Sequence, residues 1–276
     1  MRDRQAGTGG LGGLVLAVVL GGCGDDGSSG SAGAVGSSGA GDATGQPADS
    51  TGTSADESTG AAVVVSGDAF AFTLPGEDYG RIDGATISVL EQPSVSVTTD
   101  AEGHFELPEL PPGSEATFVL QREGFPVAHT KTFTLPEAGP LGQVTFQVPD
   151  DELFALLAGV LMIEVDPGAC QIVSTVTRVG KSIYDEGAHG EAGATVAIDP
   201  PLPAEAGPIY FNAAVIPDPT LVESSEDGGV LFINVPPGVY TLTATKAGVE
   251  FESTVMRCEA GVLVNASPPY GLQALP

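Results

Sequence analysis

Histidine and cysteine are the residue types that most often do chemistry in proteins, and this chain has three of each. The histidines His104, His129 and His189 stand far apart, and none lies in a motif with metal-ligand spacing. Neither a Gly-x-Ser-x-Gly nucleophile motif nor a phosphate-binding glycine loop is present. We therefore expect no catalytic residues, no metal and no cofactor, and we predict that the protein is not an enzyme.

The charge balance excludes one class of partner. The 276 residues include 36 Asp and Glu but only 9 Lys and Arg, for a net charge of −27. Such a chain repels phosphate backbones, so nucleic acid is not a partner. With 39 Gly, 22 Pro and no Trp, the composition favours short strands with many turns over long helices.

The first 22 residues have the pattern of a secretory signal peptide. Arg2 and Arg4 precede an apolar run at residues 11–20, and small residues lead to Cys23. Ten apolar residues fall far short of the ~20 needed to span a bilayer. Residues 1–22 are therefore predicted to be removed on export as a signal peptide.

The Leu-Gly-Gly-Cys sequence at residues 20–23 resembles the bacterial lipobox. The resemblance implies that Cys23 becomes an acylated N-terminus, carrying palmitate or a similar chain, and that the membrane is a partner. Because Gly24 rather than Asp follows, sorting to the outer membrane of the cell envelope is expected. An ordinary cleavable signal, with an incidental cysteine, is the alternative.

Residues 23–61 are predicted to form a disordered acidic tether. They consist mainly of Gly, Ser, Ala, Thr and Asp, with no aromatic residue. Such a stretch cannot bury enough apolar surface to offset the entropy of ordering. As a flexible coil it would reach roughly 30–40 Å.

The remainder contains an internal repeat with two copies. The first copy has Gly-Ala at 84–85, Thr99-Asp100 before Gly103, and Leu-Pro-Pro-Gly at 110–113. The second copy has Gly-Ala at 193–194, Ser225-Glu226 interpreted as replacing Thr-Asp, and Val-Pro-Pro-Gly at 235–238. Sixteen additional residues separate the Gly-Ala start from the later motifs in the second copy.

Each motif has a structural interpretation. Ile87 and Val89 alternate with polar neighbours, as do Phe105 and Leu107, which is typical of a half-buried strand. Glycine-containing clusters form turns between the strands, and Pro-Pro-Gly interrupts strand pairing. Short strands separated by such turns and proline breaks predict Greek-key β-sandwiches.

Together these motifs resemble the carboxypeptidase regulatory-like family, whose fold is a prealbumin-type sandwich. The resemblance implies two such domains, at 62–149 and 166–276, in an all-β chain. Members of the family are mostly non-catalytic accessory or surface domains. We expect adhesion, scaffolding or protein binding at the cell envelope.

Residues 150–165 are predicted to be a helical connector. Asp150 is a fitting N-cap, and Asp151 and Glu152 lie where the helix dipole favours negative charge. Leu153 and Leu157 belong to a broad apolar face. The alternative is a helix that binds a membrane or a partner, and its acidic flanks and short length disfavour that role.

Cys170 and Cys258 are predicted to form a disulfide. An exported chain meets an oxidising compartment, and acylation of Cys23 would leave these two as the remaining partners. Closing the 88-residue loop would stabilise the fold by roughly 4 kcal/mol.

The second copy's additional residues offer a candidate ligand-facing segment at Tyr210 and Phe211. An exposed aromatic pair could stack on a sugar, which would make the protein a carbohydrate-binding accessory lipoprotein. Buried, the pair would belong to the core, and a bare edge strand would instead favour contact with an envelope protein. Their solvent exposure separates these readings.

Overall fold

Short strands make up most of the computed structural model, which describes residues 62–73 and 79–276. These residues contain seventeen strands, one α-helix and one 3-10 turn. The predicted all-β sandwich class with a single short helix is confirmed. The predicted signal peptide, Cys23 and the tether lie outside the described residues. No helix in the described ranges is long and apolar enough to cross a bilayer.

The first repeat, residues 62–149, forms two facing sheets. In one, β1 pairs with β5 and β2 along one edge and with β8 along the other. The second sheet has the order β4-β3-β6-β7. The strands are β1 (Val63–Ala71), β2 (Gly80–Arg81), β3 (Thr86–Val89), β4 (Gln92–Thr98), β5 (His104–Leu110), β6 (Glu115–Gln121), β7 (Ala128–Thr134) and β8 (Leu141–Val148).

The second repeat, residues 166–276, reproduces this strand pairing. Strand β9 lies between β13 and β16, and β10-β14-β15 form the facing sheet. The elements are β9 (Cys170–Thr177), β10 (Thr195–Asp199), a 3-10 turn (Ala204–Ala206), β11 (Ile209–Phe211), β12 (Pro217–Asp218), β13 (Gly229–Val235), β14 (Gly238–Thr245), β15 (Thr254–Cys258), β16 (Leu263–Ala266) and β17 (Leu272–Gln273).

The two repeats differ where the sixteen additional residues are inserted. In the first repeat, β4 extends the edge of β3. In the second, β11 and β12 form a hairpin that extends the edge of β13, in the other sheet. The insertion therefore widens the sheet that contains β9.

Each repeat encloses its own hydrophobic core, because alternate side chains of its strands point between its sheets. Phe105, Phe118 and Phe146 are among the largest buried side chains of the first core. Ile172, Phe232 and Leu242 belong to the second.

The repeats are joined by strand pairing. The β7 edge of the first repeat pairs in parallel with β16, at Leu263 and Val264, and touches β15 through Val255. Leu263 packs into the first core although it belongs to the second repeat. All described residues fall in one compact unit, so the boundaries 62–149 and 166–276 stay predictions.

The connector contains the predicted helix, α1 (Asp151–Val160). Asp150 caps it, because its Oδ1 accepts a hydrogen bond from Leu153 N at 2.7 Å. Asp151 N donates to Gly124 O of the first repeat, which fixes where the helix begins. No helix residue is fully buried, and Leu156 remains 54% exposed.

Candidate functional site

A cavity of about 140 Å³ lies between the two repeats, on the face of β9, β13 and β11 that points away from the second core. Helix α1 and the segment that follows it form one wall, through Phe154, Leu157 and Ile163. The first repeat contributes Phe72 and Tyr79. The lining is mostly apolar, which is typical of small-molecule sites at the junction of two structural units.

The floor is apolar because the outward positions of the second repeat's sheet carry aliphatic side chains. Val173 of β9 pairs with Leu231 of β13, and both line the cavity together with Ile233. The inserted hairpin adds Phe211. Val215, which also lines the cavity, has a φ of 57°, a strained conformation for a β-branched residue.

One carboxylate stands in this lining, on Asp227. Its Oδ2 accepts a hydrogen bond from Gly229 N at 2.9 Å, while its own N–H donates to Ser225 Oγ at 3.1 Å. Burial raises the pKa of the Asp227 carboxyl above its usual value. Within the described ranges, no lysine, arginine or histidine forms an ion pair with it.

Tyr79 brings a polar group to the same cavity from the first repeat. Burial raises the pKa of its hydroxyl, and the charge on Asp227 raises it further. A hydrogen bond from the Gln147 side chain acts in the opposite direction. Tyr79 and Asp227 therefore line the same cavity from different repeats.

His189 is a further polar group of the wall. Its Nδ1 is buried without a hydrogen-bond partner in the described structure, and burial lowers the pKa of the imidazole. A neutral imidazole has one acceptor and one donor nitrogen. His189 therefore has hydrogen-bonding capacity that the described residues leave unused.

The 178–190 loop, which carries Ile183 and His189, is held against the first repeat. The Tyr184 hydroxyl donates to Asp68 Oδ2 at 2.6 Å, and the Tyr184 ring packs edge-on against Phe70 with centroids 5.8 Å apart. These contacts hold the loop that carries two of the lining residues, Ile183 and His189.

The exit from α1 is held by Asn234 of β13. Asn234 Oδ1 accepts from Asp166 N at 3.0 Å, and Nδ2 donates to Glu164 O at 2.9 Å. Asn234 Oδ1 also accepts from the side chain of Gln171, a lining residue. The helix is thus fixed to the first repeat where it begins and to the second where its connector ends.

The predicted Cys170–Cys258 disulfide is confirmed. It links β9 to β15, in opposite sheets of the second repeat, with Cα atoms 5.7 Å apart. The bond lies inside the second core, away from the cavity.

The structure corrects the interpretation of Tyr210 as ligand-facing. Only 2% of its surface is exposed, and its hydroxyl accepts a hydrogen bond from Val196 N at 2.8 Å. The insertion pairs with β13, and this register turns Tyr210 into the second core. Phe211, its neighbour, points the other way into the cavity. The pair therefore forms no open aromatic platform.

The remaining histidines have separate surroundings. His104 Nδ1 lies 3.5 Å from Asp68 Oδ1 on the outer face of the first repeat. His129 is 2% exposed in β7, where burial lowers the pKa of its imidazole. Among the described residues, no group of three or more His, Cys, Asp or Glu side chains is arranged to hold a metal ion.

The structure also shifts the repeat alignment by one residue. Ser224 Oγ accepts from Ala194 N and donates to Glu191 O, as Thr99 Oγ1 accepts from Ala85 N and donates to Ile82 O. Ser224-Ser225, and not Ser225-Glu226, therefore replaces Thr99-Asp100. Corrected this way, the alignment places Asp227 at the position of Glu102, which sequence reasoning overlooked.

Comparison with known sequences identifies part of the chain. Residues 77–149 match the sequence family described as the carboxypeptidase regulatory-like domain. This agrees with the resemblance found for the first copy of the repeat. A comparison with curated proteins finds no match.

Several solved structures show a remote likeness. The Bacillus anthracis TIE protein is 18% identical, with 74% of this chain and 33% of that chain covered and a TM-score of 0.23. This chain thus spans about a third of that structure. The GBS52 minor pilin of Streptococcus agalactiae is 12% identical, with 78% of this chain and 97% of that chain covered and a TM-score of 0.23. The shaft pilin SpaA of Lactobacillus rhamnosus GG is 12% identical, with 78% of this chain and 98% of that chain covered and a TM-score of 0.22.

Proposed function

We propose that this chain is a non-catalytic protein of the cell envelope that displays its two repeats as one rigid head for adhesion, scaffolding or protein binding. The observation that carries the proposal is the pairing of β7 with both β15 and β16, which makes a single sheet run from one repeat into the other. A continuous sheet resists hinge motion, as a display or scaffold element requires.

Two features of the sequence support display at a membrane. The lipobox-like sequence ending at Cys23 would place an acyl anchor there, and residues 24–61 would hold the head away from the bilayer. The match of residues 77–149 to the carboxypeptidase regulatory-like family supports a non-catalytic role. The outer membrane is the proposed location.

The edge strand β4 is the part of the head best suited to bind a protein. It pairs with β3 on one side, and Ser94 and Ser96 are exposed on it. An extended partner segment can add to such an edge through main-chain hydrogen bonds. The carbohydrate-binding alternative loses its aromatic platform because Tyr210 is buried.

The anchor is tested by metabolic labelling with radioactive palmitate. The wild-type protein should be labelled and found in the membrane fraction, whereas Cys23→Ser should be unlabelled. The Cys170→Ser variant is the matched control, and it should keep the label. Equal labelling of wild type and Cys23→Ser would contradict the lipid anchor.

Binding at the edge is tested by site-specific photocrosslinking in native membranes. A photoreactive residue at Ser96 should give a defined adduct with an envelope protein. The control position is Thr243, which is exposed on the central strand β14. Adducts of equal yield at both positions, or binding of the full-length protein to a glycan array without any adduct, would reject this function.

A further inference from the structure

We propose that the cavity between the repeats binds a small organic cation, a primary amine attached to an apolar body about the size of one aromatic ring. The inference goes beyond display at the envelope and does not depend on it, because it rests only on residues that line the cavity.

The charge of the cavity selects a cation. Asp227 places a carboxylate in an apolar lining that contains neither lysine nor arginine. A largely buried charge without a counter-ion is costly, and such charges in proteins are normally paired. An ammonium group on a ligand would supply the missing partner. The overall charge of −27 also attracts cations toward the protein.

The position of the carboxylate is specific. The Gly229 backbone lies directly beneath Asp227 and Phe211. A Cβ at Gly229 would stand 2.6 Å from Asp227 Oδ2 and 2.9 Å from the Phe211 ring. A side chain at Gly229 would collide with both, and a cation bound beside them would meet a carboxylate and an aromatic ring.

Other polar side chains of the cavity lining can accept hydrogen bonds from an ammonium group, which has three donors. Tyr79 lines the same cavity from the first repeat, and its hydroxyl oxygen can accept a hydrogen bond. His189, whose Nδ1 has no hydrogen-bond partner among the described residues, is a further polar residue of the wall. An anionic ligand would meet no lysine or arginine in this lining and would be repelled by Asp227.

The size of the cavity limits the apolar body. A volume of about 140 Å³ corresponds to roughly ten water molecules, or roughly 300 Å³ of liquid volume. That is at the lower end of the range for small-molecule pockets. Leu231 and Val173 on the floor, with Leu157 on the helix, provide the apolar contact.

The test is isothermal titration of the full-length protein with three probes of similar shape. Phenethylamine is the cation, phenethyl alcohol its neutral counterpart and hydrocinnamate its anionic counterpart. We expect phenethylamine to bind at least about tenfold more tightly than the alcohol and hydrocinnamate not to bind.

Two variants assign the effect to one carboxylate. Asp227→Asn keeps an oxygen that can accept from Gly229 N, and it should weaken phenethylamine binding at least about tenfold while leaving the alcohol unchanged. Glu102→Gln is the matched control, because Glu102 is the exposed carboxylate at the equivalent turn position, and its affinity should equal that of wild type.

Three results would overturn the proposal: no binding of phenethylamine, equal affinity for the amine and the alcohol, or unchanged amine affinity in Asp227→Asn. The Cys23→Ser variant separates this proposal from the envelope function. It should lose the anchor and keep the affinity for the amine.

Discussion

The outer faces of the equivalent sheets in the two repeats have opposite chemistry. In the first repeat, Ser66 of β1 pairs with the exposed Glu106 of β5. At the equivalent place in the second repeat, Val173 pairs with Leu231, and both line the cavity. The same strand topology therefore carries a solvated face in one copy and a covered apolar face in the other.

The next pair along each sheet continues this contrast. Asp68 pairs with His104 in the first repeat, and His104 Nδ1 lies 3.5 Å from Asp68 Oδ1. Thr175 pairs with Gly229 in the second, where the absence of a side chain leaves room for Asp227 and Phe211. Inward positions build the fold in both copies, whereas outward positions differ. We infer that the outward positions carry what is specific to each repeat.

The largest expected effect concerns the disulfide, which only the second repeat has. In the first repeat, Val63 takes the place of Cys170, because Val63 pairs with Leu110 as Cys170 pairs with Val235. Leu135 takes the place of Cys258. The double variant Cys170→Ala, Cys258→Ala should lose about 2–5 kcal/mol in urea unfolding. Wild type with a reductant should show the same loss. Unchanged stability, or two reactive thiols in the native wild-type protein, would contradict the bond's role.

The second prediction tests whether Tyr210 belongs to the core rather than to a binding face. Tyr210→Phe removes the acceptor of Val196 N and should lower the free energy of unfolding by about 1–3 kcal/mol. Amine affinity should not change, because the hydroxyl points away from the cavity lining. Phe211→Leu is the companion variant, and it should weaken amine binding. A stable Tyr210→Phe protein with altered ligand affinity would reverse the assignment.

The third prediction uses the hydroxyl that both repeats share. Thr99→Val and Ser224→Ala each leave one buried backbone N–H, of Ala85 or Ala194, without its acceptor. Each should cost about 1–3 kcal/mol, and the two losses should be similar. Ser225→Ala serves as the control for alignment, because its Oγ accepts from Asp227 N at a turn and donates to Phe211 O, and neither bond has a counterpart at Ser224. A much larger loss for Ser225→Ala than for Ser224→Ala would favour the original alignment over the corrected one.

The fold was predictable from the sequence to the extent that it depends on local patterns. The alternation of Ile87 and Val89 predicts a strand, and the position of Asp150 predicts the start of a helix. Both signals depend only on residues that are close together in the sequence. The cavity was not predictable, because its lining comes from segments that are distant in the sequence, such as those that carry Tyr79 and Asp227. Tyr210 was misassigned because alternation does not say which of two buried faces a side chain occupies.

The central claim is that Asp227 is a carboxylate in the cavity lining with no ion-pair partner among the described residues, while its counterpart Glu102 is exposed on the surface. The most direct test is the free energy of unfolding of Asp227→Asn, Glu102→Gln and wild type between about pH 4 and about pH 8, without ligand. Because burial raises the folded-state pKa of Asp227, wild type binds this proton more tightly when folded, and its stability falls as pH rises through that pKa. Asp227→Asn has no carboxyl group to titrate at this position, so its free energy of unfolding should not fall in this way. At neutral pH it should be more stable than wild type by roughly 0.5–2 kcal/mol. The advantage should shrink toward acid pH, and Glu102→Gln should follow wild type throughout. A less stable Asp227→Asn at neutral pH, or a difference that does not vary with pH, would contradict the claim.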